Sequence, residues 1–249
     1  MGGSGSSIGG GGADGTVIPS MSAGGKKIME ITSKKDLQSY MSTEYSIRMT
    51  DQLLRMVDLD TLKESMAGVA DMLAEYPEVA EMLPEMQYNS RGSFIACFSY
   101  YALTNKGVGM NFSKHYKDRS TLMNMLKADA DSHFHPSNCG VEATAVHETA
   151  HALERYIARK TGVLNKGVSE RIVEQAYKNV YGSKPSVTIH AAAQSISGYA
   201  GSTKSNKLQT HETWAEAHAD VYANKGKADP FSKEIVRLAR EEYKKAVTL

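Results

Sequence analysis

His147-Glu148-Thr149-Ala150-His151 is the segment of this chain whose residue types and spacing name a reaction. On a helix, positions four apart lie about 40° apart around the axis, so both imidazoles face the same way. That spacing suits two nitrogen ligands of a tetrahedral zinc, with Glu148 beside the metal as general base. The chemistry would be metal-assisted amide hydrolysis. The metal acidifies a water, and the carboxylate takes its proton and passes it to the departing amine. A chain with 8 histidines and this composition carries the pentapeptide by chance in about two cases per hundred, so a third ligand has to decide.

Candidates for that ligand stand in Glu212-Thr213-Trp214-Ala215-Glu216-Ala217-His218-Ala219-Asp220. Glu212, Glu216 and Asp220 share one helical face, while Trp214, Ala217 and Val221 line another. Alone, such a row of acids reads as a solvated surface. Beside a helix that offers two histidines, it reads as the source of a carboxylate ligand. Ala215 and Ala219 would let a neighbouring helix come close.

The elements that must position these residues follow from periodicity. Val146, Ala150, Leu153 and Ile157 form an apolar stripe, and no proline or glycine interrupts a long helix over 141–160, for which Asn138 is the expected cap. Further helices are expected over 118–130, 169–181, 212–223 and 231–247, with an irregular stretch between the second and third. Residues 93–101 read as a strand, and 107–112 as its antiparallel neighbour after the Asn105-Lys106-Gly107 turn. Residues 132–135 read as a short extended piece ending at Pro136. Both extended pieces would offer an edge to which a substrate strand could add. From Ser33 to Met86 apolar residues recur at helical spacing, broken at Pro77 and Pro84. Many of the 13 methionines lie here and read as core, a partner-binding groove being the alternative. The order is α+β: a few strands, then the helices that carry the site.

Composition narrows the classes. With 29 Lys+Arg against 28 Asp+Glu the formal charge is +1, which excludes attachment to nucleic acid by bulk charge. Apolar runs such as 94–98 are far too short to cross a bilayer, so no membrane partner is expected. Cys97 and Cys139 alone make no disulfide scaffold, and an idle thiol is the expectation for Cys139. Met1 is followed by glycine and serine rather than a charged and apolar leader, so secretion by a signal peptide is not expected.

The motif His147–His151, then Ile196-Ser197-Gly198-Tyr199-Ala200, then Glu212-Thr213-Trp214-Ala215-Glu216-Ala217 resembles the catalytic domain of anthrax lethal factor and its relatives. It is still more similar to metallopeptidase-like domains at the ends of some phage minor head (head-morphogenesis) proteins. Those share the His-Pro turn matched here by His135-Pro136. The resemblance covers roughly residues 91–240. It implies a zincin-like α+β domain with a small sheet, and a gluzincin site holding one zinc per chain on His147, His151 and Glu212. It further implies Glu148 as base, Glu216 as the acid that orients a histidine, and Tyr199 as oxyanion donor. Thirteen positions separate Tyr199 from Glu212, more than in the lethal-factor pattern, and the insertion at 204–207 is expected to be a mobile loop.

The expected organisation is a flexible Gly/Ser-rich linker (1–27), a helical segment (28–90) and the zincin-like domain (91–249). The expected function is zinc-dependent endopeptidase action on peptide or protein substrates, including virion proteins, in a phage virion or bacterial cytoplasm. A virion structural module with a structural zinc is the alternative. His133 and His135 read as polar turn residues, and His115, His190 and His218 carry no expected role.

Overall fold

Polar caps and prolines set where the N-terminal helices start and stop. The computed structural model describes residues 21–92, 94–163, 167–182 and 186–249. Ser22 opens α1 (Ala23–Glu30) by accepting from the Gly25 amide, and Ser33 opens α2 (Lys34–Tyr45) by accepting from Asp36. After β1 (Arg48–Met49), Thr50 caps α3 (Asp51–Met56) and Asp58 caps α4 (Leu59–Glu75). Pro77 then begins a 3-10 turn over Pro77–Met82, and the chain passes Pro84 into β2 (Glu85–Asn89). The breaks expected at both prolines are therefore real.

β3 (Ala96–Tyr101) and β4 (Lys106–Ser113) form the expected antiparallel pair, turning through Asn105 in the left-handed region. Ser93, the expected first strand residue, lies outside the described residues. The four strands make one mixed sheet in the order β1-β2-β4-β3, with β1–β2 and β2–β4 parallel. β3 is thus an edge. Gly109 holds φ at +138°, and a Cβ there would lie 1.9 Å from the Glu85 carbonyl oxygen, so only glycine allows β2 and β4 to meet in this register.

The helices that follow are α5 (Arg119–Asp131), α6 (Val141–Thr161), α7 (Gly167–Tyr181) and α8 (Ile189–Ile196). A small hairpin of β5 (Thr203–Lys204) and β6 (Lys207–Leu208) precedes α9 (Thr210–Asn224) and α10 (Pro230–Val247). None of the helices among the described residues is long and apolar enough to cross a membrane.

Several local expectations differ from this result. Residues 1–20 of the expected linker lie outside the described residues, but 23–27 belong to α1, where the Ser22 cap and burial of Gly25 outweigh the cost of two helical glycines. Residues 28–90 carry β1 and β2 as well as helices, because each pairs with a strand far along the chain rather than with a local neighbour. Asn138 does not cap α6. It sits at φ +62° and donates to Asn224 Oδ1 at 2.7 Å, while Gly140 takes the cap position. Within the stretch expected to be irregular, Thr188 caps α8. Residues 132–135 are not a free edge, since the His133 and Phe134 carbonyls accept from the Gly198 and Tyr199 amides at 2.7 and 3.0 Å.

One hydrophobic core runs from Ile28 in α1 to Ala246 in α10, and Met41, Met66, Met82, Met86 and Met110 are wholly buried in it. The methionine stripe is core. α6 lies at its centre, against α4 on one side and α9 on the other. The α4–α6 crossing is close because Gly68 faces the backbone of Glu142, where a Cβ would stand 2.4 Å from the carbonyl oxygen. Gly68→Ala should therefore lower stability by about 1–3 kcal/mol in urea denaturation, despite the roughly 1 kcal/mol helix preference of alanine over glycine. A stabilised variant would mean that the two helices do not touch there.

Candidate metal centre

α6 carries His147, Glu148 and His151, and α9 brings Glu212 and Glu216 against them. The two helices are locked together by Trp214, whose indole Nε1 donates to the Ala150 carbonyl at 2.8 Å between the two histidines. Buried Ala215, Ala217 and Ala219 keep α9 slim enough to sit close. Side chains that the sequence separates by more than sixty positions thereby meet.

His147, His151 and Glu212 form a group that could hold a metal ion. His147 Nε2 and His151 Nε2 are 3.2 Å apart, and Glu212 Oε2 lies 3.5 and 3.4 Å from them. Bonds of about 2.0–2.2 Å to a tetrahedral ion set ligand separations of about 3.3–3.6 Å, so the triangle has the size the ion requires. Glu212 Oε2 is buried without a hydrogen-bond partner. A carboxylate oxygen in that state is poorly solvated by the protein alone, and a cation at the triangle would satisfy it. Burial opposes ionisation of Glu212, but the adjoining imidazoles of His147, His151 and His211 overcome this and hold its carboxyl far below the usual range.

Glu216 lies behind the triangle, 1% exposed. Its Oε1 is 2.8 Å from His147 Nδ1 and 3.0 Å from His135 Nδ1, while Oε2 accepts from Ser197 Oγ at 2.7 Å. Burial would raise its pKa, yet the hydrogen bonds from His135 and His147 bring it down to about 2. An ionised Glu216 only accepts, so its place 2.8 Å from His147 Nδ1 favours the tautomer with the proton on Nδ1, which leaves the Nε2 lone pair for the triangle. Asp220 is not part of this group: it accepts from Asn224 Nδ2 and the Asp229 amide, fastening the end of α9 to the start of α10.

Glu148 lies beside the triangle and is 7% exposed. Its Oε2 accepts from the Phe98 amide of β3 at 2.7 Å. Burial raises its pKa, against the neighbouring His147 and His151 and the Phe98 amide, which lower it. Tyr199 stacks on the His147 ring, with centroids 6.0 Å apart and planes 19° apart. Its hydroxyl pKa is pushed up by burial and by the carboxylates of Glu212 and Glu148. Residues 204–207 lie in the β5–β6 hairpin, whose turn residues Ser205 and Asn206 both have positive φ, as a two-residue turn demands.

Two histidines that sequence reasoning left without a role join the centre. His211 Nε2 stands 3.1 Å from Glu212 Oε1, and its ring is 5.9 Å from that of His151. Its position just before the acid was the available signal. His135 reaches Glu216, and nothing short of the fold places residue 135 against residue 216. His133 instead turns to the Gln194 carbonyl, and His218 Nδ1 pairs with the Trp214 carbonyl inside the core. Cys139 keeps its proton, because burial and the nearby Glu216 and Asp220 drive its pKa up.

A cleft of about 300 Å³ opens beside the triangle, walled by Phe94, Ile95, Met125 and Phe134 and by the polar groups of His135, Glu148 and Tyr199. No protein-family model, curated protein or solved structure matches the chain.

These positions distinguish the two glutamates of α9. Competitive chelator titration of the zinc-loaded protein should strip Glu212→Ala at far lower chelator concentration than the parent. Glu216→Ala, which removes the group behind His147 rather than a ligand, should weaken zinc about 10–100-fold and still be metallated. The reverse order would make Glu216 the ligand.

Proposed function

We propose that this chain is a zinc-dependent endopeptidase of the gluzincin type, with one zinc held by His147, His151 and Glu212. The observation that carries this reading is a ligand triangle of tetrahedral size with a buried carboxylate, Glu148, beside it and a cleft open in front. A metal staple needs the three ligands but has no use for Glu148, so the structural-module alternative leaves a buried acid beside the triangle without a task.

When bound, zinc supplies a Lewis acid and lowers the pKa of water toward neutrality. The protein's own groups supply the rest. The Phe98 amide holds Glu148 Oε2, leaving Oε1 to take a proton from the attacking water and deliver it to the departing amine. Burial of Glu148 raises its basicity, which suits that exchange. Glu216 keeps His147 in the tautomer a ligand needs. Tyr199, stacked against His147, donates its hydroxyl to the oxygen on which charge develops.

The substrate on this reading is a peptide in extended form. β3 is the sheet edge bordering the centre, as the Phe98–Glu148 bond requires, and an added strand would run along it past Glu148. The apolar wall of Phe94, Ile95, Met125 and Phe134 would take a side chain. Cleavage of virion or host proteins, from a phage particle or a bacterial cytoplasm, is the setting suggested by the resemblance to phage head proteins.

Digestion of a peptide library by the zinc-loaded protein tests the reading, with Glu148→Gln as control. That variant should keep stoichiometric zinc and native folding while losing hydrolysis. Retained cleavage would remove Glu148 from the mechanism. Tyr199→Phe should leave zinc affinity unchanged and lower kcat by about 10²–10³-fold, the usual worth of an oxyanion donor. An unchanged rate would show that the hydroxyl does not meet the developing charge.

A further inference from the structure

His135 has two ring nitrogens, and among the described residues a partner is seen for one of them, Nδ1. Nδ1 lies 3.0 Å from Glu216 Oε1, on the buried side. In an imidazole the two nitrogens flank Cε1 and their in-plane directions diverge widely, so a ring whose Nδ1 faces the buried side turns Nε2 away from it. Outward here is the cleft: His135 lines it, and its side chain is 21% exposed whereas that of Glu216 is 1% exposed. The rings of Phe134 and Tyr199 stand edge-on to His135 at 4.9 and 5.5 Å and fix its tilt. Glu216 fixes its rotation. A side chain held this firmly, next to Tyr199 and lining the same cleft as Glu148, is not a solvated turn residue.

We propose that His135 is a substrate-binding residue, hydrogen-bonding the peptide backbone of the substrate through Nε2 while Glu216 holds it by Nδ1. The inference rests on the endopeptidase reading for its ligand class, and on the Glu216 contact for its geometry. Glu216 then serves two histidines from one oxygen: His147, which it aims at the metal, and His135, which it aims at the substrate. His135 acts on the peptide directly and on the metal only through the carboxylate it shares with His147.

Two substitutions separate these contributions. The amide nitrogen of asparagine sits where His Nδ1 does, so His135→Asn keeps a donor for Glu216 and deletes the group facing the cleft. His135→Phe keeps the ring against Phe134 and Tyr199 and deletes both nitrogens. Zinc affinity by chelator competition, peptide affinity by calorimetry and kcat/KM would be measured for each. Peptide affinity is read in the Glu148→Gln background, where the peptide should remain uncleaved. We expect His135→Asn to hold zinc as tightly as the parent while binding peptide about tenfold more weakly, the worth of one hydrogen bond to a ligand, with kcat/KM falling at least as far. His135→Phe should show the same peptide defect, together with weaker zinc.

His135→Asn that binds peptide as well as the parent would overturn the proposal and leave His135 a support for Glu216 alone. So would a parent that binds no peptide. A zinc-loaded parent that binds peptide without cleaving it would sink the endopeptidase reading, while the affinity of His135→Asn would still decide the role of His135.

Discussion

The centre depends on one buried carboxylate. Glu216 is almost wholly out of water, and an ionised acid in that state survives only if donors replace its hydration. Three polar groups stand against it, each from a different part of the chain: His147 from α6, His135 from the turn before α6, and Ser197 from the segment after α8. Removing Glu216 would leave three polar groups unpaired around a void. Its presence forces four stretches of backbone into one arrangement and sets the direction in which His147 faces. The Ser197 hydroxyl also accepts from the Ala200 amide at 2.9 Å, so the same hub shapes the turn that carries Tyr199.

Rigid packing around α6 makes that arrangement hold. The helix is buried over most of its circumference, packed between α4 and α9. Gly68 on one side and the alanines of α9 on the other bring backbones together, where van der Waals contact is dense and small shifts are costly. Even the polar residues of α6 are anchored. Glu154, wholly buried, accepts from the Ser169 amide at 3.2 Å and ties α7 to the far end of the same helix. The paired histidines thus sit on a helix packed tightly on two sides, and the start of the edge strand β3 borders the cleft beside them.

What was legible in the sequence was local. The stripe from Val146 to Ile157 defines α6, the four-residue spacings of His147/His151 and Glu212/Glu216 define faces, and the β3–β4 hairpin needs only neighbouring residues. What was not legible depended on distant partners. β1 and β2 become strands because β4 lies between β2 and β3, and α1 persists through two glycines because α4 covers it. His135 and His211 look like isolated polar residues until the carboxylates arrive. Asn138 was misread for the same reason, since its partner Asn224 lies at the other end of α9. Periodicity reports the face that a residue occupies, not the residue that will stand opposite.

The β5–β6 hairpin separates two distances that sequence comparison treats as one. Its base is closed by Gln209, whose amide donates to the Ser202 carbonyl at 2.9 Å and whose side chain reaches the Ser202 hydroxyl. Below that clasp, Thr213 Oγ1 holds the Ala200 carbonyl at 2.6 Å. Residues 203–208 therefore project from a sealed neck, and lengthening or shortening them need not disturb either Tyr199 or Glu212. The interval between Tyr199 and Glu212 along the chain is thereby uncoupled from the distance between them in space, and an insertion at the hairpin tip would be absorbed in solvent.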